Sequence, residues 1–227
     1  MAKDLQTTGT NSTANFIDTT AATLRYYYAV PEEARGQKVS FHFSAKSSNG
    51  ETTSFSTNEY AISNMDMIRN IVVADNAACY LSIKDLKAYT KAEIDANASL
   101  AANIDLVYLY RVKTGVNFGH ALVSPTASSY LEGAVIPTGA SSSSKIEKQV
   151  NIRDQQLSDK QYAVFIDDLD FEKLNIDQAA NFVLNFKTDE GAWIVTTDGT
   201  YKAYVYINSV DNTAKKMTIS IKRYKVK

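Results

Sequence analysis

One cysteine, two histidines, three prolines and one tryptophan are all that 227 residues hold of those four types. The lone Cys79 excludes an internal disulfide framework and any multi-cysteine zinc site. Two histidines, His42 and His120, are too few for most His-rich metal centres. Charge of one sign is missing as well. The 24 Lys and Arg against 25 Asp and Glu leave a net charge of -1, so no global positive field draws in a phosphate backbone, and nucleic acid is not an expected partner. No segment approaches the ~18 consecutive apolar residues of a membrane span. The start, Met1-Ala2-Lys3-Asp4-Leu5-Gln6, has no apolar h-region. The chain is therefore expected to be kept where it is made, or to have had a leader removed. The nine glycines fall in no dinucleotide or phosphate-loop pattern, and no G-x-S-x-G elbow occurs. No cofactor is expected, and the chain does not read as an enzyme.

What is present is a folded, strand-rich chain. With 44% hydrophobic residues it can bury a core, and its length suits one large β domain or two small ones. Residues 1–23 are polar and rich in Thr, Asn and Ala, which reads as an arm that something must hold. Residues 24–30 form a first strand candidate. Residues 39–45 alternate apolar and polar residues, the period of a half-buried strand. Ser48-Asn49-Gly50 is a hairpin turn signal, and residues 53–56, 60–62, 68–74 and 79–83 continue as strands. Thr90-Lys91-Ala92-Glu93 has the spacing of a capping box and opens a short helix over 91–102. Residues 104–110 form the most apolar strand. Pro137, Gly139 and Ser141 to Ser144 mark a long loop, and a boundary between two β-subdomains is placed at 137–145. Residues 162–166 read as a strand and 171–180 as a helical turn or two. Residues 182–186, 201–207 and 217–224 read as a closing meander, with Asp189-Glu190-Gly191 and Thr197-Asp198-Gly199 as turns.

The expected fold is mostly β, an immunoglobulin-like or related β-sandwich. It comprises a polar arm (1–23), a β-subdomain with a short helix (24–137) and a second β-subdomain (138–227), the alternative being one continuous sandwich over 24–227.

Few residues carry chemistry. His42, between Phe41 and Phe43, reads as a solvent-side strand residue, and His120 lies near a turn without an acidic or nucleophilic neighbour. Cys79 reads as a small buried hydrophobe. Asp167, Asp168 and Asp170 form the sharpest acidic cluster. They are weak candidates for Ca²⁺ or for paired-carboxylate chemistry, set against a plain role at a helix N-terminus. Charge is polarised along the chain. Residues 151–190 carry nine acids, whereas Lys215, Lys216, Lys222, Arg223 and Lys225 crowd the C-terminus with no acid after Asp211. Those cations are candidates for contact with an acidic partner, including another copy. Tyr26, Tyr27 and Tyr28 cannot all face one side of a strand, so they join Phe16 and Ile17 of the arm as interface candidates.

Three segments, Ala78 to Ile83, Ala88 to Glu93 and Ile104 to Tyr108, with the endings Gly199 to Val205 and Ile219 to Lys222, resemble β-rich surface proteins of Bacteroidota, many of them lipoproteins, and of phages that infect them. The resemblance covers about half the chain and carries over no functional residue. It implies an extracytoplasmic, non-catalytic module, although a lipid-accepting cysteine and a leader are missing. Two readings follow. The first is a structural protein of a phage particle, a capsid auxiliary or head-surface protein made in the host cytoplasm and located in the virion, acting through interfaces with other subunits. The alternative is a bacterial surface lipoprotein module that binds a glycan or a protein partner.

Overall fold

The computed structural model describes residues 2–8, 11–16, 34, 36–131, 133–160 and 163–226. The chain forms two units, Met1–Ala34 and Arg35–Lys227. In the first, strands β1 (Ala2–Thr8) and β2 (Asn11–Phe16) pair antiparallel. Residues expected to be a polar arm therefore include a β-hairpin, and their many threonines are the β-branched residues that favour one. Phe16 closes β2 opposite Ala2. Ile17, Tyr26, Tyr27, Tyr28 and the strand expected over 24–30 lie outside the described residues.

The second unit continues with β3 (Lys38–Val39), β4 (His42–Lys46), β5 (Thr52–Ser56), β6 (Tyr60–Ala61), β7 (Met65–Ala74), β8 (Tyr80–Ser82) and β9 (Lys87–Tyr89). Helix α1 (Lys91–Ala96), a 3₁₀ turn (Ala98–Asn103), β10 (Leu106–Lys113), β11 (Val116–Val123) and β12 (Lys145–Gln149) follow. Then come α2 (Gln155–Ser158), α3 (Asp168–Lys173), β13 (Phe182–Phe186), β14 (Gly191–Val195), β15 (Tyr201–Asp211) and β16 (Lys216–Lys225). Two five-stranded antiparallel sheets pack as a sandwich, one in the order β13-β11-β10-β8-β9, the other β12-β14-β15-β16-β7.

The pairings cross residues 137–145 in both sheets. Strand β7 pairs with β16, and β11 pairs with β13. The 137–145 loop is thus a connection inside one unit and not the boundary of two subdomains. The closing meander is also divided. Strand β13 belongs to the first sheet, while β14, β15 and β16 pair in succession in the second. Of the strand expected over 162–166, the described residues 163–166 form none, and Val164 makes only an isolated bridge to Asp154. The half-buried strand expected over 39–45 is overturned, because every residue of β4 and β5 is exposed, including the cross-strand pair Phe43 and Phe55.

Two apolar layers hold the second unit. Between the sheets lie Leu81, Leu106 and Leu122 from one side and Val205, Ile207, Ile219 and Ile221 from the other. On the far face of the second sheet, Trp193, Tyr204 and Tyr206 are covered by Leu157, Ile166, Phe171 and Ile176. Residues 203 to 207 are therefore buried throughout, which explains a strand without alternation. The covering segment, described over 152–160 and 163–176, is fastened by side chains of the sheet. Tyr204 donates to Ile152 O at 2.5 Å, Asn208 Nδ2 to Leu157 O at 3.0 Å and Lys202 Nζ to Phe171 O at 2.7 Å.

Close approach fixes one residue type. A Cβ on Gly191 would overlap the Tyr204 hydroxyl and stand 2.8 Å from Val205 O. Since the Tyr204 ring is fully buried and its hydroxyl bonded, it has little room to yield. Gly191→Ala is expected to lower stability by about 1–3 kcal/mol through overpacking. In urea the midpoint should fall at constant m-value, and an unchanged midpoint would refute the overlap.

Candidate functional site

At one end of the sandwich the β10–β11 hairpin, β13 and the β15–β16 connection enclose a cleft of about 410 Å³. Two irregularities build it. Gly119 has φ +56° and Asn185 φ +55°, left-handed backbone on facing strands. A Cβ on Gly119 would lie 3.3 Å from Asn185 Cα, so the close approach requires glycine. The β11–β13 register shifts between His120 and Leu122, and the β10–β11 register between Arg111 and Lys113.

His120, in phase with Phe118 and Leu122 on β11, is buried and bonded at both ring nitrogens. Nδ1 lies 2.6 Å from the Tyr108 hydroxyl and Nε2 lies 2.8 Å from Asn212 Oδ1. An amide oxygen only accepts, so Nε2 carries the proton, and Nδ1 accepts from the phenol. Burial pushes the His120 pKa down and the Tyr108 hydroxyl up, so the ring is neutral and the phenol protonated. The Tyr110 ring packs against His120 at 4.7 Å. At the open end the Asn212 amide NH₂ has no partner among the described residues, nor does Lys187 Nζ. Lys113 lies 6.0 Å over the Phe118 ring. Arg111 is held by Asp75 at 2.6 Å. Among the described residues the lining contains Arg111, Lys113 and Lys187 and no carboxylate. The site thus offers hydrogen-bond donors, amides and aromatic faces, and its histidine is already fully engaged.

The residues singled out in the sequence fall elsewhere. Asp167 and Asp170 form a capping box on α3, Asp167 Oδ1 accepting from Leu169 N at 2.9 Å and Asp170 Oδ2 from Asp167 N at 3.0 Å. Asp168 accepts from the Ser63 hydroxyl. No metal-holding group of His, Cys, Asp or Glu occurs among the described residues. His42 is exposed, 2.9 Å from the Ser56 hydroxyl. Cys79 is buried, and burial raises its thiol pKa, which disfavours the reactive thiolate. Lys215, Lys216 and Lys225 are exposed. Lys222, expected at an interface, is fully buried against Asp154, because β16 places it opposite Tyr204 under the covering segment. Arg223, also expected there, bonds to Asp66 and lies 4.9 Å over the Tyr201 ring.

Among the members of the cleft only His120 was flagged in advance. Gly119 interrupts the alternation of residues 116–123, which hides β11 from a period-2 reading. Lys113, Lys187 and Asn212 sit at strand ends far apart in sequence.

A second, polar cleft of about 310 Å³ has Asp105 in its wall. Asp105 is buried, and desolvation pushes its pKa up to about 6, although Ile83 N donates to it at 2.8 Å and the Ser144 hydroxyl at 3.1 Å. The unfolded value is 3.8, so the folded chain holds the proton more tightly. Stability is therefore greatest below about pH 4 for this group and falls as pH rises to about 6. Two pKa steps correspond to about 2–3 kcal/mol. Asp105→Asn keeps an oxygen for Ile83 N and, with the Ser144 hydroxyl turned to Ser142 Oγ, donates its NH₂ to Ser144 Oγ; it is expected to raise stability by that order at pH 7.5, with little change at pH 4. Urea titrations at both pH values check this, and equal shifts at the two would contradict it.

Two family models match the chain, a domain of unknown function (DUF4466) over residues 1–62 and a domain of unknown function (DUF8576) over residues 63–226. No curated protein gives a match. The chain is similar to a DUF4466 family protein from Parabacteroides merdae ATCC 43184, known from its crystal structure. The two are 44% identical with a TM-score of 0.88, over 99% of this chain and 75% of that one.

Proposed function

Since the chain belongs to the DUF8576 family and to the DUF4466 family of the Parabacteroides protein, we propose that it is a non-catalytic binding module of a Bacteroidota cell surface that takes a glycan. The observation that carries the reading is the cleft around His120. It gathers three asparagine side chains, aromatic rings and cations, while both nitrogens of its one histidine are engaged. Amides donate and accept in one plane, which suits sugar hydroxyls, and aromatic faces suit the apolar side of a sugar ring. A histidine or carboxylate base needs a free imidazole nitrogen or carboxylate within reach of its substrate, and among the described residues the cleft lining offers neither. The competing reading, a structural protein of a phage particle, drew on residues 1–23, and no observation favours it over the surface module.

The test is retention of the full chain on a panel of immobilised plant and host polysaccharides. At least one class should retain the protein with its polymer length unchanged. Retention on none, or shortening of the retained polymer, would defeat the reading.

A further inference from the structure

The cleft around His120 has an electrostatic character that a neutral sugar would not need. Among the described residues its lining holds three cations and no acid. Of the three, Arg111 is already paired with a carboxylate, and the other carboxylates nearby have partners outside the lining. Asp75 holds Arg111 at 2.6 Å, Glu190 holds Lys148 at 2.7 Å and Asp189 pairs with Lys160. Asp211, beside Asn212, accepts from Ala214 N at 2.8 Å. Lys187 stands at the rim with its ammonium unmatched among the described residues, its backbone N–H donating to Glu190 Oε2 at 2.7 Å.

A second feature points the same way. The Tyr108–His120–Asn212 chain runs in one direction, from phenol to imidazole to amide oxygen. It fixes the Asn212 side chain with its oxygen inward and its NH₂ on the cleft side, as a pair of donors. An ammonium and an oriented NH₂ are the donors an oxyanion takes. The volume, about 410 Å³, lies in the usual range of small-ligand sites, roughly 300–1,000 Å³.

We propose that this cleft binds the oxyanion of an acidic saccharide, a carboxylated or sulfated sugar unit, with Lys187 and Asn212 as its ligands and Asn117 and Asn185 facing the sugar hydroxyls. The inference rests on the glycan reading above and names the ligand class for it. Attraction to Lys187 is partly screened, so affinity falls as salt rises.

The experiment is a titration of the ¹⁵N-labelled full chain, followed by NMR, with four probes: a galacturonate disaccharide, a sulfated galactose disaccharide, neutral galactobiose and sodium sulfate. Saturable shifts are expected at the Asn212 side-chain NH₂ and the Gly119 amide with one or both acidic sugars. The two acidic sugars distinguish a carboxylate from a sulfate. Lys187→Glu and Asn212→Asp should each weaken binding by about tenfold or more, the size of a lost charge-assisted bond. Both residues are exposed, so their variants should melt with the parent protein. Three results overturn the proposal: no saturable shift with either acidic sugar, equal affinity for galactobiose, or sodium sulfate binding as tightly as the sugars, which would mean an adventitious ion only. Retention on a glycan without movement of these signals would end this inference and leave the surface-module reading standing. Retention on none would end both.

Discussion

Lys222→Met is expected to lower stability by about 3–5 kcal/mol. Lys222 and Asp154 are both fully buried, with Nζ 2.6 Å from Oδ2. The lysine also donates to Ile166 O at 2.8 Å. Asp154 accepts from Leu157 N and Ile166 N, each at 2.8 Å, so one carboxylate joins two parts of the covering segment, and Lys222 ties them to the sheet. Removing the lysine leaves that carboxylate in an apolar layer without its cation. Tm should fall by roughly 6–20 °C, taking about 2–4 °C per kcal/mol for a domain of this size. The double variant Lys222→Met, Asp154→Leu removes both charges and should recover much of the loss. A single variant that melts with the parent, or a double variant no better than the single, would contradict the pairing.

Phe171→Ala is expected to cost about 3–5 kcal/mol. Phe171 is fully buried, edge-on to Trp193 at 5.5 Å and stacked on Tyr224 at 5.7 Å. It is the centre of the covering layer, and a cavity there cannot collapse, because the sheet beneath it is fixed on its other face. Trp193 is the single tryptophan, so its emission reports on this layer alone. The variant should shift that emission to the red under conditions where far-UV dichroism is unchanged. An unshifted emission with full stability would show that the layer is not packed as described. Since Phe171 and Lys222 serve one layer, their losses should not add.

How much of this was legible beforehand depended on whether a residue's role is local. The capping box at Thr90 and Glu93 is local and was read correctly. Thr90 Oγ1 accepts from Glu93 N at 3.2 Å, and Glu93 Oε2 from Thr90 N at 2.8 Å. The helix stops earlier than expected because Asn97 caps a 3₁₀ turn of its own. The mostly β sandwich was legible from the strand patterns. Strands β12 and β14 were missed, one short and polar, the other opening on Gly191 inside a turn signal. Residues 162–166 misled because their apolar character serves the covering layer through Ile166, while Val164 and Phe165 remain exposed.

Lys222 shows the limit most clearly. A lysine in a basic C-terminal strand reads as solvated. Only the pairing of β16 with β15 and the cover over residues 152–176 place it in an apolar interior. The cleft was illegible for a similar reason. Its histidine, cations and amides come from β10, β11, β13 and the end of β15, and the extra residue that shapes it lies in β13, beside Asn185.

The most direct test of the account is calorimetric titration of the full chain with an acidic oligosaccharide, followed by mass measurement of the recovered sugar. Saturable binding that weakens with salt, with the sugar recovered at unchanged mass, is the result the account predicts. Absence of binding, or recovery of a cleaved or altered sugar, would contradict it.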